Sequence, residues 1–296
     1  MENKKIIALG FFDGVHMGHG ALLRACRALA EETGCHAAAL TFSSHPDALV
    51  SGGAPGLINT IQDRERLLRE YYHMDEVIVL PFDRETMTMP WRTFFHLLLR
   101  RYQAAGLVCG HDFRFGNRGE GSGALLRRAC EEAGIPCVVV PEQKIDGITV
   151  SSTYIRTLLE AGDMEKAARF LGHPHLFTGT VVPGKHLGRT LGVPTANLVL
   201  PEGLILPRLG VYACKAKFGG QEYLAVTNVG RRPTVDGSYV TVEPWILDYD
   251  GDLYGRELTL EFYSFLRPER KFASLEELRQ EIWKNAAQTR TFFEKS

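Results

Sequence analysis

The sequence predicts an α/β domain with a doubly wound parallel sheet, followed by a small antiparallel β-barrel and a closing helix. Three observations carry this. Up to about residue 140, short apolar runs alternate with helical patterns, the signature of a parallel sheet. After Phe177 the runs shorten and are separated by glycines and prolines, as in a small barrel. Ser274 with Glu277 three residues on is the capping-box start of a last helix running to Phe293. A chain of 296 residues suggests two domains, divided here as 1–172 and 173–296.

The elements follow in order. Residues 5–12 read as a buried strand and Asp13-Gly14-Val15-His16 as a loop. A helix follows with Leu22, Cys26 and Leu29 on one face, stopped by Gly34. Ala37 to Phe42 is a strand, Gln62 to Tyr72 a helix and Glu76 to Leu80 a strand. Pro90 opens a helix through Arg101. Gly106 to Gly110 is a strand, Leu125 to Ala133 a helix and Cys137 to Val140 a strand. Thr153 to Leu171 forms two short helices, with Gly162 stopping the first and Asp163 capping the second. Gly172 to His175 reads as a linker. Six barrel runs then follow: 179–182, 196–200, 211–218, 223–229, 240–247 and 258–266, with Gly219-Gly220 as a hairpin turn.

Composition narrows the function. Lys+Arg 34 against Asp+Glu 35 gives a net charge of -1, which offers no general attraction to nucleic acid or to an anionic membrane. The six cysteines form no C-x-x-C pair and read as buried reduced thiols. The apolar run after Met1–Lys5 is too short for a secretory leader, and no stretch of about 18 apolar residues occurs, so the expectation is a cytoplasmic protein. The sequence carries no signature of oligomeric state.

Two groups of motifs carry chemistry. His16-Met17-Gly18-His19 lies between a strand and a helix. Free N–H groups and the positive dipole end of a helix suit phosphate there, and two imidazoles three residues apart can both donate to it. Gly18 allows close approach of a ligand to the backbone. On its own the tetrad reads equally as two polar loop histidines or half of a metal site. Three further segments sit at strand ends or helix starts: Phe42-Ser43-Ser44-His45-Pro46, Gly110-His111-Asp112-Phe113-Arg114-Phe115-Gly116, and Ser151-Ser152-Thr153-Tyr154-Ile155-Arg156. The last is a second anion-binding helix start with Arg156 one turn on. Together these segments fit nucleotide chemistry.

In the second half, Gly184-Lys185-His186-Leu187-Gly188-Arg189 is a glycine-spaced basic loop that is not a Walker-type P-loop. Alone it reads as a surface hairpin. Thr195 and Asn197, two apart on a strand, offer a hydroxyl and an amide oxygen on one face, which suits Mg²⁺ shared with phosphates or equally an edge-strand turn. Glu243, inside the apolar run Val240-Thr241-Val242, reads as a paired acid, a solvent-facing acid or a general base.

The stretch Gly10-Phe11-Phe12-Asp13-Gly14-Val15-His16-Met17-Gly18-His19 resembles the adenylyltransferase module of the bifunctional bacterial riboflavin kinase/FMN adenylyltransferase family. The second half is similar to the kinase module at residues 188–197, at Asn228-Val229-Gly230-Arg231-Arg232-Pro233-Thr234, at 251–255 and at 266–272, so the resemblance runs from about Ile6 to Phe293. It implies flavins and ATP as substrates with Mg²⁺. FMN would attack the α-phosphorus of ATP and pyrophosphate would leave. It implies that His16 and His19 stabilise the transferring phosphate and that Ser152, Thr153 and Arg156 hold the leaving phosphates. Asp112 and Arg114 would position nucleotide and flavin phosphate, with Gly10, Phe11, Asp13 and His45 around them. In the barrel it implies Thr195 and Asn197 as Mg²⁺ ligands and Glu243 as base for the ribityl 5′-hydroxyl. Gly184, Lys185, Gly188 and Arg189 would cover the ATP phosphates, with Asn228 and Arg232 nearby. The chain departs from the family pattern at Pro244-Trp245, where Thr-His is usual, and at Val193 and Val235, where aromatic residues are common.

Overall fold

The computed structural model describes residues 4–44, 56–183, 192–234 and 237–295. Its contacts divide it into two compact units, Met1–Leu57 with Ile61–Ser152, and Ile58–Thr60 with Thr153–Ser296.

The first unit runs β1 (Lys5–Leu9), α1 (Met17–Thr33), β2 (His36–Phe42), α2 (Ile61–Glu70), β3 (Glu76–Leu80), α3 (Arg84–Thr88), α4 (Trp91–Arg100), β4 (Ala104–Gly110), β5 (Arg114–Phe115), β6 (Gly121–Ser122), α5 (Gly123–Ala133), β7 (Cys137–Val140), β8 (Lys144–Ile145) and β9 (Ile148–Thr149). Among the described residues the main sheet has the order β3-β2-β1-β4-β7, with every pairing parallel. Ile6, Ile7, Ala8 and Leu9 of β1 are wholly buried, as a strand covered on both faces requires. The strand order reverses between β1 and β4, so the crevice beyond their carboxyl ends is the expected ligand position.

The strand expected over residues 5–12 stops at Leu9. Phe12 prolongs the apolar run because it is fully buried, but, like Val15, it is buried from a loop. Helix ends follow local chemistry. The Ser122 Oγ accepts from Leu125 N at 3.3 Å, which starts α5 ahead of the expected Leu125. Gly34 and Gly134 close α1 and α5 in the left-handed conformation. All six cysteines are free; four are buried as expected, but Cys35 and Cys137 are only half-buried, and burial pushes the Cys26 thiol up to about 12, in keeping with an inert side chain there.

The second unit contains α6 (Ser152–Ala161, its first residue grouped with the sheet), α7 (Met164–Leu171), β10 (His175–Val182), β11 (Asn197–Val199), β12 (Gly210–Phe218), β13 (Gln221–Thr234), β14 (Gly237–Ile246), β15 (Glu257–Arg267) and α8 (Leu275–Glu294). The six strands close into an antiparallel barrel, β10-β11-β14-β13-β12-β15. The two helices expected in the first domain group with the barrel by contact. Arg208 N donates to Leu159 O at 2.9 Å, and Ser264 Oγ donates to Glu165 Oε1 at 2.8 Å. Asp163 caps α7 through Lys166 N at 3.1 Å. The Gly219-Gly220 turn has φ of 57° and 76°, the paired positive values that a two-residue hairpin needs. At the start of α8, Ser274 Oγ accepts from Glu277 N at 3.1 Å as the expected cap, while the Glu277 carboxylate reaches one residue further back, to Ala273 N at 3.0 Å, instead of to the Ser274 N–H of a regular capping box.

The linker expected over Gly172–His175 is shorter, because β10 begins at His175. His175 is fully buried, with rings of Phe177 and Phe262 each 5.8 Å away. Its two ring nitrogens have no hydrogen-bond partner among the described residues. Burial, with a smaller contribution from His173, lowers its pKa to about 3. The unfolded chain takes up this proton below about pH 6.5, whereas the folded chain resists it down to about 3, so stability falls as pH drops through that window. The slope from this group is at most about 1.4 kcal/mol per pH unit. His175→Phe is therefore expected to lose less stability than wild type between about pH 7 and about pH 4.5, read by urea unfolding. Equal losses in the two proteins would show that His175 does not drive the acid sensitivity.

Candidate active sites

The first site is built on the loop between β1 and α1. His16 is the N-cap of α1, and its Nδ1 accepts from His19 N at 3.2 Å. That bond makes Nδ1 an acceptor and leaves Nε2 to carry the proton. The two imidazoles stack with centroids 3.6 Å apart and planes at 11°. His16 is buried and His19 half-buried. Burial first, then the neighbouring His16 and Arg64, hold His19 well below the usual histidine range, so it is neutral near pH 7. A Cβ at Gly18 would lie 3.1 Å from the His16 ring, so the glycine keeps room for the stack.

The loop itself departs from ordinary backbone. Phe12 and Val15 have φ of 56° and 42°, and a β-branched residue in that region is strained. Asp13 is almost wholly buried, and its carbonyl accepts from Ser152 Oγ at 2.8 Å. This bond, within the first unit, ties Ser152 to the histidine loop. Thr153 and Arg156 follow on α6, in the second unit. Asp112 and Arg114 lie beyond the end of β4, both exposed. Between and after them Phe113 and Phe115 turn inward and pack their rings 5.7 Å apart, which anchors the loop and leaves the two charges outside. Gly10 and Phe11 open the β1–α1 loop.

Arg64 carries no motif and is absent from the sequence expectation, yet it is the largest fully buried side chain among the described residues. Its guanidinium lies 4.3 Å from the Phe11 ring and 4.0 Å from Asp13 Oδ1. The helical spacing that sets Arg64 three and four residues before buried Leu67 and Leu68 was the available signal.

The second site is built on barrel pairing. Leu198 pairs with Val242, Thr195 bridges Trp245, and Ala196 N donates to Pro244 O at 2.9 Å. This antiparallel register sets Asn197 opposite Glu243. Glu243 is in turn paired with Asn228 on β13. Asn197, Glu243 and Asn228 thus form one cross-strand row, with Thr195 two positions along. All four are half-buried. Thr195 also lines a cavity of about 370 Å³ with Pro194, Pro244, Tyr249, Asp252 and Tyr254. The cavity thereby gathers the Pro-Thr-Ala and Gly251–Tyr254 motifs, while Glu243 and Asn197 are not among its lining residues. Arg232 lies on β13. His45, Gly184, Lys185, Gly188, Arg189 and Val235 lie outside the described residues.

The family model of FAD synthetase matches residues 1–154, and that of riboflavin kinase matches residues 171–293. A bifunctional riboflavin kinase/FMN adenylyltransferase of Listeria monocytogenes is 33% identical over 294 residues, 98% of this chain and 93% of the relative. Its namesake in Escherichia coli K12 is 34% identical, covering 97% of this chain and 92% of the relative. The chain belongs to the bifunctional riboflavin kinase/FMN adenylyltransferase family.

A solved structure described as a macrolide-efflux protein from Streptococcus pneumoniae matches with a TM-score of 0.88 at 29% identity, covering 98% of this chain and 95% of that one. Among the described residues here, no helix is long and apolar enough to cross a membrane. Against the family pattern, two departures are absorbed by packing. Val193 and Trp245 are buried in one cluster with Val211, Val226 and Ala286, and the Trp245 ring meets Trp283 of α8 edge-on at 5.0 Å. Pro244 differs in that it lines the cavity.

Proposed function

We infer that the barrel phosphorylates riboflavin to FMN and that the N-terminal half adenylylates FMN to FAD, each at its own site and each with ATP. The observation that carries this reading is that the two family-model matches fall on separate stretches, each with its own cluster of polar groups: the stacked histidines at a helix start, and the Asn197–Glu243–Asn228 row. Functionally we divide the chain at 172/173, because Thr153 and Arg156 belong with the adenylyl-transfer residues.

In adenylyl transfer an FMN phosphate oxygen attacks the α-phosphorus of ATP and pyrophosphate leaves. No protein nucleophile is needed, so the residues position groups and stabilise charge. Neutral His16 and His19 donate to the oxygens that gain charge. Ser152, Thr153 and Arg156 hold the departing phosphates, and Asp112 and Arg114 orient the flavin phosphate and nucleotide. His45 would contribute on the phosphate side.

In the kinase reaction Glu243 takes the proton of the ribityl 5′-hydroxyl as its oxygen attacks the γ-phosphorus. Asn228 opposite Glu243 helps hold the carboxylate. We assign Gly184, Lys185, Gly188 and Arg189 the role of covering the ATP phosphates, and Arg232 a role in binding nucleotide or flavin. The oxygen donors of Thr195 and Asn197, beside a carboxylate, fit Mg²⁺, which when bound neutralises phosphate charge. Among the described residues no cluster of His, Cys, Asp or Glu offers a competing metal site. The protein would work in the cytoplasm on small-molecule substrates.

Chromatography of the products from riboflavin, ATP and Mg²⁺ tests this reading. FMN followed by FAD is the expected result. FMN alone would remove the N-terminal assignment, and absence of both products would remove the reading altogether.

A further inference from the structure

A buried arginine is costly, and a leucine or methionine fills the same volume without desolvating a charge. Arg64 is fully buried, yet its Nε and Nη2 have no hydrogen-bond partner among the described residues. Its Nη1 donates to Thr41 Oγ1 at 3.1 Å and to Phe42 O at 3.2 Å. Thr41 Oγ1 in turn donates to Phe11 O at 2.7 Å. With its guanidinium over the Phe11 ring and 4.0 Å from Asp13, Arg64 ties the end of β2 to the strained loop. The next residue, Phe12, meets the His19 ring edge-on at 5.2 Å. An expensive, half-satisfied cation behind a strained loop points to a function beyond packing.

We propose that Arg64 is a positioning residue for adenylyl transfer: it clamps the loop of residues 10–16 so that His16 and His19 stack at the start of α1, and it places a fixed positive charge behind them. The proposal rests on the adenylyl-transfer reading of the two histidines. Arg64 also contributes to keeping His19 neutral, after burial and His16. Among the described residues, the charged and titratable groups acting on His19 are His16, the N-cap of its helix, and Arg64 from α2. Asp13 from the loop faces Arg64, and the Asp63 carboxylate is engaged by Arg66 at 3.2 Å.

The test uses the full-length chain, with FAD formation from supplied FMN and ATP as the readout and FMN formation from riboflavin as the folding control. Arg64→Met is expected to lower kcat for FAD by at least ~10-fold with KM for FMN nearly unchanged. Its acid limb should move to higher pH, because a cation that suppressed His19 protonation is gone. Arg64→Lys returns the charge and should restore the position of the limb. It should recover only part of the rate, since an ammonium cannot lie flat on Phe11 while bridging Thr41 and Phe42 O. Should Arg64→Met not fold, Thr41→Val removes the hydroxyl link alone, and a fall in kcat with an unmoved limb is expected. Wild-type rate and limb in Arg64→Met, or in Thr41→Val an unchanged kcat, would overturn the proposal. So would equal losses in the Met and Lys variants with an unmoved limb, which is the signature of packing alone. Failure of wild type to make FAD would instead overturn the adenylyl-transfer reading.

Discussion

His19→Ala is expected to reduce FAD formation from FMN by ~10²–10³-fold while leaving FMN formation from riboflavin at the wild-type rate. The size of the loss follows from what the ring does. In the proposed mechanism it is one of two donors to phosphate oxygens that gain charge, in a half-buried position where such bonds count for more than in water. The fold should tolerate the change. The His19 Nδ1 is buried without a hydrogen-bond partner, so removing the ring takes away an unsatisfied polar group. The backbone N–H of residue 19 remains to bond the His16 Nδ1. Initial rates with each substrate supplied separately would settle the matter. Near-wild-type FAD formation would remove His19 from the transferring-phosphate role, and loss of both activities would deny that the sites are independent.

Glu243→Gln is expected to do the reverse. FMN formation should drop by ~10²–10⁴-fold, the usual contribution of a positioned general base, while FAD formation from supplied FMN stays intact. Glutamine keeps the length of the side chain and its place between Asn197 and Asn228, so the barrel should melt within a degree or two of wild type. If FMN formation survives, the base lies elsewhere and the strand row is structural. If the kcat loss appears with an unchanged KM for riboflavin, Glu243 acts in the transition state rather than in binding.

Much of the fold was legible because its signals are local. Period-2 and period-3.6 apolar patterns, Asp163 and Ser274 as caps, and the Gly219-Gly220 turn each express the chemistry of a few adjacent residues. The same locality misled at two points. Phe12 extended an apolar run, so the start of a buried loop read as strand. His173 and His175 looked like polar linker, yet both are buried, and His175 opens β10 against Phe262.

The sequence by itself determined the two-part architecture, the placement of His16 to His19 at a strand–helix junction, and the candidate oxygen donors of the barrel. A motif at fixed spacing on one element needs no knowledge of distant chain. Only the tertiary structure decided which of these residues meet. Antiparallel register sets Asn197 beside Glu243, parallel stacking brings β4 next to β1, and a bond from Ser152 reaches the Asp13 carbonyl. It also decided that Trp245 and Val193 share a core cluster under α8. Arg64 is the clearest case. Its residue type argues for solvent, and only the convergence of Phe11, Asp13, Thr41 and Phe42 around it, from two segments far apart in the chain, turns an apparent surface charge into the buried anchor of the histidine loop.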